Sequence, residues 1–136
     1  MKAGFAPTQT GAMRHRFNLL CKATAKRKVT EEIEVALGLL STMPEAHSAM
    51  AWRAAELLDS RREGTEETLM ALAAAAHQTG FYIEGKVEAF INAWDIEVSD
   101  ALAIANRDLV KSQGIAGYAR DLQARKRGQA LLRTVV

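Results

Sequence analysis

The sequence predicts an all-α fold, a single compact bundle of six or seven short helices with basic termini. Three observations carry that expectation. Apolar residues recur at helical spacing through most of the chain, nearly every such run begins or ends on a residue suited to a helix terminus, and only two prolines occur in 136 residues. No strand is expected, and no repeat of 20 to 50 residues is visible.

The first expected helix covers about 12–27, with Met13, Phe17, Leu20 and Thr24 on one apolar stripe and His15, Asn18, Lys22 and Lys26 opposite. A second begins at Thr30, whose hydroxyl can cap while Glu31 and Glu32 complement the positive end of the helix dipole. Ile33, Val35, Leu37, Leu39 and Leu40 are its apolar residues. "TMPE" then reads as a fresh start, with Thr42 as cap, Pro44 in the first turn and Glu45 closing a capping box. That third helix is expected to run to about Arg62 and to stop at Gly64. Thr65 caps a fourth that Gly80 ends. A fifth, about 81–95, places Ile83, Val87, Phe90, Ile91 and Trp94 on one stripe and is the strongest core helix. Ser99 caps a sixth that Gly114 ends. Beyond it, Ile115, Tyr118, Ala119 and Leu122 share a face, but the pattern changes phase at "RKRG", so a hinge is expected at Gly128. The implied organisation is a flexible segment 1–10, a bundle 11–127 and an apolar tail 128–136.

Charge is segregated along the chain. Residues 1–29 hold seven bases and no acid, 30–70 nine acids and three bases, 71–106 five acids and one base, and 107–136 seven bases and two acids, for a net +2. Two basic ends flank an acidic middle. An all-basic face repels itself unless an anion neutralises it, and nucleic-acid phosphate is the commonest such anion. The leading expectation is a non-catalytic subunit that binds an RNA or DNA backbone without sequence preference inside a larger (ribo)nucleoprotein assembly. Its contacts are Arg14, Arg16, Lys22, Lys26, Arg27 and Lys28 at one end and Arg120, Arg125, Lys126 and Arg127 at the other, on one track if the ends meet in space. A helix-turn-helix over 86–110 is the weaker nucleic-acid reading, because its second helix opens on acidic Asp100.

The competing class is a protein-binding adaptor or inhibitor. Trp52 carries it: at 100° per residue it stands opposite the Met43, His47, Met50, Ala54 stripe and among Glu45, Asp59 and Glu63. A large ring on an acidic face suits an interface with other subunits or with copies of the chain, and a helix buried on two sides of the bundle would equally place it in second-layer core. Catalysis is not expected. His15, His47 and His77 stand on separate segments, with no HExxH or paired CxxC, so neither a metal nor a cofactor has an evident cage. His47 reads as a packing residue, and His77 as a helix C-terminal residue satisfying carbonyls. Cys21 beside Lys22 has no partnered base in sequence, and a single cysteine excludes an internal disulfide, which fits a cytoplasmic protein. "LMALAAAA" is far short of the ~20 apolar residues of a membrane span, and no pocket for a small-molecule substrate is implied.

Overall fold

The computed structural model describes residues 5–60 and 63–135. It contains four long helices, α1 (Phe5–Ala25), α2 (Glu31–Ser60), α3 (Glu66–Ala93) and α4 (Asp100–Thr134), and no strand among the described residues. The connections are about five residues long, which forces sequential helices antiparallel. α1 packs on α2 and α4, and α3 packs on α2 and α4, so the helices close a ring in which α2 and α4 are diagonal. The all-α expectation stands, with four helices in place of six or seven.

The helix starts at Thr30 and Ser99 are as expected: their hydroxyls accept from the amides of Ile33 (3.3 Å) and Leu102 (3.2 Å). Gly64 turns the chain with φ +83°, the conformation its missing side chain permits. Thr65 occupies the N-cap position of α3 but supplies no side-chain cap. α1 reaches back to Phe5, into the stretch expected to be flexible, and Gln9 and Thr10 are buried. Residues 1–4, 61, 62 and 136 lie outside the described residues.

Four expected breaks, at Pro44, Gly80, Gly114 and Gly128, are absent. α2 runs straight through Pro44, a substitution of backbone chemistry that costs about 3 kcal/mol in a helix interior. Its ring is buried in line with Leu40, His47 and Ala51, and that burial opposes the loss. Thr42 does not cap; its hydroxyl, like that of Ser41, donates back to a carbonyl three residues earlier. α3 runs through Gly80 because that glycine is a packing residue. A Cβ there would stand 2.5 Å from the Gln113 amide nitrogen and 2.6 Å from its oxygen, so the end of the buried Gln113 side chain fills the space the glycine leaves and would have to move for any larger residue. α4 is unbroken through Gly114 and Gly128, and at neither would a Cβ meet anything within 4 Å. The hinge expected at Gly128 is therefore continuous helix.

These glycines respond to alanine in opposite directions. Gly128→Ala is expected to raise stability by about 1 kcal/mol, the ordinary helix-propensity gain. Gly80→Ala is expected to lower it by about 1–3 kcal/mol through overpacking against Gln113. Thermal unfolding of the two variants checks this, and a gain at Gly80 would contradict the packing role.

The main core gathers Met13 and Leu20 of α1, Ile33 and Leu40 of α2, Ile83, Val87 and Phe90 of α3, and Leu102 and Leu109 of α4, closed by Ile96 from the last turn. The stripes expected on α1 and on 83–94 supply five of these residues, Met13, Leu20, Ile83, Val87 and Phe90. At the other end of the bundle a smaller cluster is built from Ala51 and Ala76 with Met50 against them, so there the backbones carry the packing.

Candidate interaction surfaces

Polar groups occupy the middle of the bundle. Arg16, on the helix expected to offer it to solvent, is 1% exposed. Both of its terminal nitrogens donate to the two Glu84 oxygens at 2.8 Å, and one also donates to Asn106 Oδ1 at 3.2 Å. Three helices thereby meet on one guanidinium. Arg16 is corrected from a surface contact to an internal one; it falls on the buried side of α1, between Met13 and Leu20, and its charge is held by a carboxylate from α3.

About one to two helical turns away lies a second polar layer. Thr10 and His47 Nδ1 share a 2.6 Å hydrogen bond, Gln9 donates to the Ser112 hydroxyl, and Gln113 is buried beside Gly80. His47 is fully buried, and burial first, then neighbouring His77, lowers its pKa to about 4. His77 is lowered by burial and then by Arg120. It is not at a helix end, because α3 continues for sixteen residues past it. Both imidazoles are neutral at pH 7. Burial pushes the Cys21 thiol up, away from the thiolate that a nucleophile requires. Among the described residues no group of three or more His, Cys, Asp or Glu is placed to hold a metal ion.

The surface cations divide into paired and unpaired groups. Arg14 pairs with Glu45 at 3.1 Å and Arg127 with Glu67 at 3.0 Å. Arg120 pairs with Asp121 at 2.9 Å and lies 4.5 Å from the centre of the Phe81 ring. The Arg27 guanidinium donates to the carbonyls of Trp94 and Lys28, tying the α1–α2 turn to the end of α3. Lys22, Lys26, Lys28, Arg125 and Lys126 are exposed and have no carboxylate partner among the described residues.

The two basic groups do not form one track. Arg16 and Asn106 touch, which fixes the level of α1 against α4. From that level Lys26 lies ten residues toward one end of the bundle and Arg120 fourteen residues toward the other. At 1.5 Å per residue the separation along the axis is about 35 Å.

The outward faces carry the large apolar side chains. Trp52 is 67% exposed on α2, with Glu45, Glu56 and Asp59 exposed around it and Glu63 exposed in the following turn. On α4 the expected face of Ile115, Tyr118 and Leu122 points away from the bundle: Ile115 is 72% and Tyr118 80% exposed. The sequence pattern detected that face but not its direction. Lys111, Arg125 and Lys126 on the same side were the available sign that it meets solvent. Between α2 and α3 an apolar groove of about 470 Å³ is lined by Leu39, Met43, Phe90 and Trp94, with Lys86 above the Tyr82 ring at its edge. No helix is long and apolar enough to cross a membrane among the described residues. Comparison with known protein families, with curated proteins and with solved structures finds no match to this chain.

Proposed function

We propose that this chain is a non-catalytic helical subunit of a larger assembly, held there by protein contacts through the outward faces of α2 and α4. One observation carries the reading: the chain buries Arg16, His47 and Gln113 while Trp52, Ile115 and Tyr118 stand in solvent. Removing a charged or polar group from water is costly, and leaving an aromatic ring in water forgoes a favourable burial. A sequence that does both keeps apolar area for something outside itself. Aromatic residues also dominate the energetic centres of protein interfaces.

A second reading, sequence-independent binding to a nucleic-acid backbone, is supported by Lys22, Lys26 and Lys28, which have no carboxylate partner among the described residues. Its footprint is smaller than the sequence suggested. Arg16 is internal, Arg14 and Arg127 already have carboxylates, and the second basic group is about 35 Å away along the bundle.

One pair of measurements separates the readings. Photo-cross-linking groups placed at positions 52 and 118 in the native host, with position 18 on α1 as control, are expected to give protein adducts at 52 and 118 only. Anisotropy with labelled RNA and DNA at about 50 and 200 mM salt, the range in which phosphate contacts lose most affinity, is expected to show no binding. Salt-sensitive binding that disappears in Lys22→Glu/Lys26→Glu/Lys28→Glu, without adducts at 52 or 118, would favour the second reading.

A further inference from the structure

We infer that the partner of the α4 face is the α2 face of a second copy of the same chain, so that copies join side by side. The inference rests on the assembly reading above and names the occupant. Four observations on the two faces agree.

The first is charge. α2 carries six acids and one base, and α4 carries seven bases and three acids. Two copies of α2, or two of α4, repel; one of each attracts.

The second is the centre of each patch. Trp52 stands among Glu45, Glu56 and Asp59 with Arg53 beside it, and Tyr118 with Ile115 stands among Lys111, Arg125 and Lys126 with Asp121 beside it. Each has an aromatic anchor inside a charged rim, and the net signs of the rims are opposite. The local pairs Arg14–Glu45 and Arg53–Glu56 are exposed, so exchanging them for intermolecular pairs costs little.

The third is length. The α2 patch spans 45–59 and the α4 patch 111–126, each about 21–23 Å at the helical rise.

The fourth is level. Gln9 bonds Ser112 and adjacent Thr10 bonds His47, so residues 47 and 112 lie at one height in the bundle. α2 and α4 run in the same direction on diagonal corners, and both patches start near that height. A copy displaced sideways, with little shift along the axis, therefore brings the α4 patch of one molecule against the α2 patch of the next. Because the two surfaces differ, the contact is heterologous and does not close at a dimer.

A heterologous contact has a signature that an ordinary symmetric dimer lacks. Tyr118→Glu removes the α4 face and leaves α2 intact; Trp52→Glu does the reverse. Both positions are exposed, and circular dichroism checks that each variant keeps its helicity. Light scattering and sedimentation of the full chain are expected to show dimers and larger species at about 50 mM salt that weaken at about 500 mM, where charge is screened over ~5 Å or less. Each variant alone is expected to be monomeric, since an anchor of this kind is worth about 30-fold or more in affinity. An equimolar mixture of the two is expected to give a 1:1 dimer and nothing larger, through the intact α2 face of one and the intact α4 face of the other.

A wild-type chain that stays monomeric at every concentration and salt, or folded variants that do not complement on mixing, overturns the inference. If the chain is monomeric while the cross-linking groups at 52 and 118 attach to other proteins, the assembly reading survives and self-association falls. If neither position gives an adduct and the chain is monomeric, both fall.

Discussion

Glu84→Ala is expected to destabilise the protein by about 3–5 kcal/mol, a large share of the 5–15 kcal/mol of an ordinary domain. The side chain of Arg16 is only 2% exposed, and its two terminal nitrogens spend their hydrogen bonds on Glu84 and Asn106. Removing the carboxylate leaves a buried guanidinium that cannot release its proton and keeps only Asn106 as a partner among the described residues. The loss therefore exceeds that of a surface ion pair, which is worth about 0–1 kcal/mol. The control is the joint replacement Arg16→Met with Glu84→Leu. Exchanging both charges for apolar side chains of similar size removes the desolvation penalty with the attraction, and stability is expected to return to the parent value or pass it by about 1–4 kcal/mol. Urea unfolding of the single and double variants reads both effects. A single variant that loses less than about 1 kcal/mol would mean that water reaches the guanidinium and that the three-helix junction is not closed.

The second large effect is on pH. His47 titrates at about 4 in the folded protein, and His77 is shifted in the same direction, because burial disfavours the charged ring and His77 and Arg120 add positive neighbours. In the unfolded chain both return to about 6.5. Between those values the unfolded state binds more protons than the folded state, so stability is complete above about pH 6.5 and falls as pH drops toward 4. The expected loss through His47 alone is about 2 kcal/mol, less than the full value of its shift because water enters the layer as it charges. Denaturant midpoints at about pH 7 and about pH 4.5 measure it. His47→Gln is expected to flatten the slope while lowering stability at neutral pH. An unchanged slope in that variant would place the acid sensitivity elsewhere.

What was legible in the sequence is what local chemistry controls. The caps at Thr30 and Ser99 and the turn at Gly64 depend on a hydroxyl or a missing Cβ within a few residues, so they read directly. The stripe Met13, Phe17, Leu20, Thr24 and the stripe from Ile83 to Trp94 also read directly, because a helix with one apolar face has one way to bury it. Pro44, Gly80, Gly114 and Gly128 did not. Each is a helix breaker by propensity, with penalties of about 1–3 kcal/mol, and each is overridden because its helix is held along its whole length by neighbours.

The interaction surfaces divide the same way. The acidic residues sharing the side of Trp52 on α2 were legible, but they left it either at an interface or in second-layer core, and its 67% exposure is decided by the packing of the bundle. Arg16 was not legible as buried, since its partners Glu84 and Asn106 are 68 and 90 residues away. Nor was it legible that the two basic ends lie apart, because antiparallel packing of long helices, and not charge, sets where the ends go.

The sequence by itself determined an all-helical chain, the helix starts after Thr30 and Ser99, the turn at Gly64 and the segregation of its charge, all consequences of hydrogen bonding and periodicity within a few residues. Only the tertiary structure decided that four helices replace six or seven, that Arg16 and His47 are internal, and that Ile115 and Tyr118 face outward. Those outcomes depend on which side chain from a distant helix fills the space beside each residue, and burial energy summed along a 30-residue helix outweighs any single breaker within it.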